Sequence, residues 1–453
     1  MTLRELYLSL PPIVRDAGLT AVAMRVDRRR YGDAFRRARA QVEAMDASAA
    51  QAETWRRERE REVLQRLAET TGAPIAAVAD APYEDKAALR RRVERLREQG
   101  SLRGAIEWST GGTTGSPIDV PVDPSEDALN TALAEHLILD RCMGFRQRPR
   151  RTAFLSGKTL CPPGQERPPF WVSDLRGGRR YYSMFHVLPQ HAAAYAVDID
   201  RFRPELWIAN PSPLARLARF LKTLGWRPAA RPRGIWSMAE ELLEADREVI
   251  ECVFECRVTN TYGMTEMAIL AAECSHRTLH VSDVYGRTET IDAPGGLKEL
   301  VGTSYVRTRV PVVRYRTGDL CEALEHVDCP CGLGGLAIRG LHGRSVELIH
   351  LPDGQVVSAS PLADVLRRIP GVVWSSIEVT GPWSWRIHYH ADRRDDARVV
   401  AGVDAEIRKR VRGPIALEAA FEASPRPPGV KPRLVTRAAD AGNPGSRPGN
   451  ERG

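Results

Sequence analysis

The chain has 453 residues, 43% of them hydrophobic, which is enough to bury a large core in more than one domain and excludes a disordered chain. Its formal net charge is +8, but the runs Arg28-Arg29-Arg30, Arg90-Arg91-Arg92 and Arg146 to Arg151 are separated by acidic residues; they read as solvated helix faces, and no nucleic-acid partner is expected. No apolar run is long enough to span a bilayer, and Met1-Thr2-Leu3-Arg4-Glu5 does not open a signal peptide, so no membrane span and a cytoplasmic location are expected.

In residues 1–102 apolar side chains recur at helical spacing among charges, with breaks at Pro11-Pro12 and Ala81-Pro82, which predicts a helical amino-terminal region. The stretch from Trp108 to Pro117 then places three glycines and five hydroxyl side chains in ten residues. Glycines let backbone N–H groups turn inward as an anion-binding nest, and the hydroxyls add donors. No lysine follows Gly115, so the pattern is not that of a P-loop. It reads as a loop for a nucleotide triphosphate, with a flexible linker as the plain alternative. Residues 118–123 alternate as a strand does.

Beyond the loop, helices are predicted over 125–141, 192–202, 213–224 and 239–254. Strands are predicted over 153–157, 181–187, 206–209, 234–237 and 256–260. Their alternation argues an α/β fold with a parallel sheet, whose ligands sit at the carboxyl ends of the strands. From Leu279 the pattern turns to short strands, among them 280–282, 300–304 and 312–315, which predicts a small β-rich subdomain. Helices at 360–368 and 397–412 with strands at 375–380 and 385–390 predict a small, mobile α+β carboxy-terminal domain over 343–437. Residues 438–453 are expected to be a disordered tail. The domains are then 1–102, 103–342 and 343–437.

Two further stretches end predicted strands. Tyr262-Gly263-Met264-Thr265-Glu266 offers a flat ring, a hydroxyl and a hard carboxylate suited to Mg²⁺; the plain alternative is an ordinary turn. Tyr315-Arg316-Thr317-Gly318-Asp319 offers an acidic side chain that can accept two ribose hydroxyls, or an Arg–Asp surface pair. Each is weak alone. Their order, after Thr-Gly-Gly-Thr-Thr-Gly-Ser-Pro, resembles the adenylate-forming superfamily of acyl-CoA synthetases, luciferases and peptide-synthetase adenylation domains. Leu10-Pro11-Pro12, Arg28-Arg29-Arg30-Tyr31-Gly32, Pro168-Pro169-Phe170-Trp171 and Leu351-Pro352-Asp353-Gly354 narrow the resemblance to the phenylacetate–CoA ligase family and its branch with capsular polysaccharide biosynthesis proteins.

The resemblance assigns roles. Thr110, Gly112, Thr113, Thr114 and Gly115 would hold the β- and γ-phosphates of ATP. Tyr262, with Gly263 beside it, would stack on adenine, Thr265 would bind the α-phosphate, Glu266 would coordinate Mg²⁺ and Asp319 would hold the ribose. Arg344 would be the arginine that follows the ribose-binding aspartate. His186, Trp236, Ser237 and Met238 would lie near the acyl pocket. A carboxy-terminal Gly-Lys-x-x-Arg is matched one residue out of register by Gly429-Val430-Lys431-Pro432-Arg433, which makes Lys431 the candidate catalytic lysine; a basic linker is the alternative. Three departures stand out: Gly111 replaces a usual Ser, Ser116 a common Lys, and Val346-Glu347 a usual Asp-Asp hinge.

Eight cysteines without a secretory signal argue against a disulfide framework. Cys329-Pro330-Cys331-Gly332 forms a tight pair, and Cys274 with His280 lies upstream. Four such ligands from two segments suit a closed tetrahedral zinc site, as the resemblance also implies. His276 competes with His280, and reduced thiols are the plain alternative. The resemblance thus implies a ligase that uses Mg·ATP to activate a small carboxylic acid as acyl-AMP, releases pyrophosphate and transfers the acyl group to a thiol, coenzyme A. Amide formation with an amine, or carrier-protein loading, is the alternative acceptor chemistry, and a homodimer is allowed for. Rivals of other classes are a catalytically degenerate nucleotide-binding protein and a zinc-containing nucleic-acid binder.

Overall fold

A computed structural model describes residues 3–109, 119–409, 411, 413–423 and 434–437. These fall into two compact units. One is built from residues 1–21, 149–258 and 342–453, the other from 22–148 and 259–341.

The second unit begins with the helical region anticipated from periodicity. Helix Asp33–Ala47 runs into helix Ala49–Thr71 through Ser48, whose hydroxyl accepts from Gln51 N, and Gly72 (φ +74°) closes the second helix in the left-handed region that glycine tolerates. Asp85 caps helix Lys86–Glu98 by accepting from Ala88 N at 2.8 Å. Helix Pro124–Glu135 starts at a reciprocal capping box: Ser125 N donates to Asp123 and Asp123 N donates to Glu126 at 3.0 Å. The α-helix expected over 125–141 does not continue as such. At His136 it widens into a π-helix, His136–Cys142.

The sheet of this unit runs Gly286–Asp292, Lys298–Ser304, Tyr315–Val327, Gly335–Arg344, Leu279–Val281, Leu270–Glu273 and Val258–Gly263. Its pairings among the described residues are antiparallel, yet Leu270–Glu273, Leu279–Val281 and all but the first residue of Lys298–Ser304 are buried on both faces of the sheet. Leu300, Val310, Val312 and Ile269 are at most 1% exposed in its core. The strand expected at 312–315 instead starts at Tyr315. Arg314 before it adopts φ +45°, which breaks extended geometry. Its guanidinium pins that turn by donating to Glu289 Oε1 and to the carbonyls of Ala79 and Ala81.

Strands Lys298–Ser304 and Tyr315–Val327 pair with Gly302 opposite Tyr315, then shift, so that Thr317, Gly318 and Asp319 bulge opposite Leu300. Gly318 sits at φ +73°. The bulge is satisfied locally: Thr317 Oγ1 donates to Leu300 O at 2.8 Å, Gly318 N to Glu299 Oε1 at 3.2 Å and Asp319 N to Thr317 Oγ1 at 3.0 Å.

The first unit holds the expected parallel sheet. Strands Gly234–Ser237, Leu206–Ala209, Thr152–Ser156 and Arg179–Ser183 pair in parallel, and Trp171–Ser173 adds an antiparallel edge. Helices Ala192–Phe202, Pro211–Thr223 and Glu244–Phe254 cover it around buried Trp207, Phe254 and Tyr195. Two expectations are corrected. The strand predicted over 181–187 stops at Ser183 and gives way to a 3₁₀ turn, Met184–His186. The helix predicted over 239–254 starts only at Glu244, because Ala239 (φ +70°) and the extended Leu243 interrupt it.

The same unit contains a second, four-stranded sheet ordered Ala416–Phe421, Ser384–Ala391, Val372–Gly381 and Val435–Arg437. Helices Ala359–Arg368 and Asp396–Ile407 accompany it over a core with Trp385 and Tyr389. The expected tail, 438–453, lies outside the described residues.

Two glycines in the second unit test this account. A Cβ on Gly302 would meet Ile269 Cγ1 at 2.6 Å and Ala268 O at 2.8 Å, so Gly302→Ala lowers stability by about 1–3 kcal/mol. Gly318→Ala forces a left-handed alanine into the bulge and costs about 1–2 kcal/mol. Urea denaturation of both variants reads these losses; unchanged midpoints would contradict the packing and the bulge.

Candidate functional site

The strand Val258–Gly263 carries Tyr262 near its end, paired opposite Ala271 and 7% exposed. Its hydroxyl donates to Asp319 Oδ2 at 2.9 Å. The bulge at Thr317–Asp319 is what brings the aspartate there, since an extra-residue bulge re-aims the side chains of the strand that bears it. Two residues 57 positions apart, singled out from separate motifs, are therefore in direct contact.

Thr265 and Glu266 follow in the turn after that strand. The chain reverses at Met267, a buried non-glycine residue at φ +57° whose N–H donates to Met264 O at 3.0 Å. Glu266 is 8% exposed, and its Oε1 accepts from Tyr315 Oη at 3.1 Å. A further cation stands close by. Arg307 is fully buried and donates through Nη2 to Pro121 O at 2.6 Å; burial pushes its pKa down, while the charges of Glu126, Tyr285 and Glu266 oppose that shift. Glu126 in turn accepts from Thr308 N at 2.7 Å and Arg309 N at 2.8 Å. The sequence motifs had not assigned Arg307 or Tyr315 a role. Tyr315 heads its own motif and could have been weighed; nothing in the sequence around Arg307 signals its burial.

Thr110, Gly112, Thr113, Thr114 and Gly115 lie outside the described residues. The strands on either side, Ile106–Ser109 and Asp119–Val122, pair antiparallel with Ser109 opposite Asp119. Lys431 also lies outside the described residues.

The other assigned residues belong to the first unit. Trp236 and Ser237 end the parallel strand Gly234–Ser237, and Met238, 38% exposed, leaves it with its N–H donating to Ala209 O at 3.1 Å. His186 is 1% exposed. Its Nε2 faces Pro162 O at 2.9 Å and must carry the proton there, so Nδ1 accepts from Ser183 Oγ at 2.8 Å. Burial pushes its pKa below the ordinary imidazole value, and Phe170 stacks on the ring at 5.1 Å. Arg344 ends strand Gly335–Arg344, and its N–H donates to Glu347 Oε2 at 3.4 Å; Glu347 Oε1 accepts from Leu434 N at 3.4 Å.

In the second unit Cys274, His280, Cys329 and Cys331 bring four ligand atoms within 4.8 Å of one another. Cys274 Sγ and Cys329 Sγ are 3.7 Å apart, and Cys331 Sγ is 3.3 Å from His280 Nε2. A tetrahedron with metal–sulfur bonds of about 2.3 Å has sulfur–sulfur edges of about 3.8 Å, so the set fits structural zinc. Backbone N–H groups of His276 and Leu333 donate to Cys274 and Cys331 Sγ, each at 3.3 Å. The imidazole at the thiols is that of His280; His276 contributes its backbone and is exposed.

No family model matches the chain. Protein CapK of Staphylococcus aureus is 22% identical over 304 residues, 67% of this chain and 66% of CapK. A phenylacetate–coenzyme A ligase of Thermus thermophilus is 28% identical over 187 residues, 39% of this chain and 42% of that protein. The matches thus span slightly under two thirds and under half of these relatives. Among solved structures, a 2-hydroxyisobutyryl-CoA ligase in complex with R3-HIB-AMP aligns with a TM-score of 0.64 at 16% identity, covering 87% of this chain and 91% of that one. An anthranilate CoA ligase in complex with anthranoyl-AMP aligns with a TM-score of 0.50 at 15% identity, covering 71% and 64%. No helix among the described residues is long and apolar enough to cross a membrane. The chain has the mixed α/β fold of the adenylate-forming ligases and is similar in sequence to their phenylacetate–CoA ligase branch, the one that includes the capsular protein CapK.

Proposed function

We propose that the chain is an ATP-dependent carboxylic acid ligase that forms an acyl-adenylate and passes the acyl group to coenzyme A. The observation that carries this reading is the hydrogen bond from Tyr262 to Asp319. It joins a flat ring and an ionisable carboxylate at one place, as a nucleoside requires. In this reading Tyr262 packs on the base, and Asp319, held by that hydroxyl, accepts from the ribose.

The first half-reaction joins a substrate carboxylate oxygen to the α-phosphorus and breaks the bond to the β-phosphate, so pyrophosphate leaves. Catalysis of this kind is positioning and charge stabilisation. Thr265 is assigned to the α-phosphate, and Thr110, Gly112, Thr113, Thr114 and Gly115 to the β- and γ-phosphates. Glu266 offers a hard oxygen, oriented by Tyr315, which fits Mg²⁺. Bound there, Mg²⁺ would neutralise phosphate charge. Lys431 and Arg344 are assigned to the charge that develops on the transferring phosphoryl group. In the second half-reaction a thiol sulfur attacks the acyl carbon and AMP leaves.

Trp236, Ser237 and Met238 are assigned to the acid, in keeping with ligand sites at the carboxyl ends of parallel strands. His186 is enclosed, neutral and bonded at both nitrogens, so its part is to shape the region and not to move a proton. Zinc in the Cys274, His280, Cys329 and Cys331 set would be structural, because all four positions of the tetrahedron are filled by the chain.

ATP–pyrophosphate exchange across aryl, fatty and amino acids tests the chemistry. Exchange is expected with one acid class. Tyr262→Phe lowers kcat/KM for ATP by about 3–10-fold and Asp319→Ala by about 10–100-fold, the range for hydrogen bonds to charged groups. Lys431→Ala lowers kcat by about 100-fold. ATP binding without exchange for any acid would sink the reading. Coenzyme A and amines, offered in turn to the adenylate, then separate thioester from amide formation. Elemental analysis is expected to find about one zinc per chain, lost in Cys329→Ser; zinc far below that level would remove the metal.

A further inference from the structure

One cluster of charge in the first unit has no part in the chemistry above. Helix Pro211–Thr223 carries Arg216 and Arg219, and helix Ala359–Arg368 carries Arg367. Two carboxylates face these arginines: Glu240, ahead of helix Glu244–Phe254, and Asp246 within it. Asp246, 2% exposed, accepts from Arg219 Nη2 at 2.7 Å. Glu240 is committed to the start of helix Pro211–Thr223, where Oε1 accepts from Asn210 Nδ2 at 3.0 Å and Oε2 from Ser212 Oγ at 2.6 Å. Arg367 Nη1 donates to Val373 O at 2.6 Å.

Unmet donors remain here, as they do at Arg15 and Arg307 elsewhere among the described residues. Arg216 Nε, Arg219 Nη1 and Arg367 Nε are out of solvent with no hydrogen-bond partner among the described residues. A buried donor left unpaired is costly, and more so on a charged group. Three guanidinium groups against two carboxylates also leave one surplus positive charge. Burial pushes the Arg216 pKa down to about 10, and the neighbouring Arg367 charge acts in the same direction. At neutral pH the group stays charged, so deprotonation does not relieve the surplus. An anion does, and a tetrahedral oxyanion can accept from several guanidinium N–H groups at once.

We infer that Arg216, Arg219 and Arg367 form a binding site for a small tetrahedral oxyanion of the phosphate or sulfate class, which supplies the missing negative charge and acceptor atoms at the facing helices. The site uses none of the residues assigned to ATP or the acid, so it stands or falls independently of the ligase reading.

The test is thermal unfolding of the full chain in inorganic phosphate and in sulfate, against chloride at equal ionic strength. A saturable rise in Tm of about 2–4 °C over chloride is expected. Arg216→Met removes the surplus charge and keeps an unbranched side chain. Its Tm in chloride is expected to equal or exceed that of the unaltered chain, and the phosphate increment to vanish, because replacing a buried charge by packed apolar atoms is often stabilising. Absence of any oxyanion-specific rise overturns the inference. So does a rise that Arg216→Met retains, which would place the anion elsewhere. If Arg216→Met does not fold, Arg216→Lys decides: it keeps the charge but displaces the donor, so the increment shrinks, and an undiminished increment overturns the site.

Discussion

The nucleotide reading depends on one hydrogen bond, from the Tyr262 hydroxyl to the Asp319 carboxylate. Neither side chain could hold that position unaided. Asp319 is turned toward Tyr262 by a three-residue bulge opposite Leu300, and the bulge is supported because the Gly318 and Asp319 N–H groups find partners in Glu299 and Thr317 while Thr317 bonds Leu300 O. Glu299 serves twice, since it also accepts from the Arg316 guanidinium at 2.6 Å. The arginine in Tyr-Arg-Thr-Gly-Asp is thereby paired with Glu299, two residues before Val301 on the neighbouring strand.

Much of this was legible in the sequence, and the exceptions share a cause. The parallel strands from 152 to 237 and the amphipathic helices over them follow from local periodicity, which residues close in sequence determine. The Tyr262 and Asp319 motifs were recognisable because each is short and contiguous. The sequence could not show Arg307 closing over Pro121, or Arg314 holding a left-handed turn through Glu289, Ala79 and Ala81, because those partners lie 25 to 235 positions away. His186 did not read as enclosed because a lone histidine beside a strand gives no sign that Ser183, in the preceding strand, and Pro162, 24 positions earlier, will take both nitrogens. The choice of His280 over His276 depends on strand pairing. Leu279–Val281 returns against Leu270–Glu273, which puts His280 in the sheet and leaves His276 in the turn.

Buried charge is handled in two ways in this chain. Around Glu126 the carboxylate is surrounded by donors: the N–H groups of Asp123, Thr308 and Arg309, with Arg307 Nε at 4.0 Å. A carboxylate so satisfied anchors a helix start and a loop at once, and removing it would strand Arg307 in the interior. Around Asp246 the balance tilts the other way, toward more guanidinium than carboxylate. Unmet guanidinium nitrogens occur in both clusters, since Arg307 Nε and Nη1 also lack a partner among the described residues, so it is the surplus of positive charge that sets the arginine cluster apart.

Backbone strain follows the same division between fold and site. Among the described residues, six non-glycine residues have positive φ. Arg203 and Glu255 cap helices, and Arg277 turns the hairpin between Cys274 and Thr278, places where a left-handed residue is the ordinary way to end an element. Ala239, Met267 and Arg314 are different. Each sits at a strand end: one follows Trp236-Ser237-Met238, one follows Thr265-Glu266, and one precedes Tyr315. A left-handed non-glycine residue costs about 1–2 kcal/mol, and glycine would remove most of that cost. Glycine would also let the strand end wander. A side chain at these positions, packed as Met267 is or bonded as Arg314 is, narrows the turn to one geometry. The strain is thus concentrated where the neighbouring side chains must be aimed, next to the residues proposed to hold the acid, the α-phosphate and the magnesium ion.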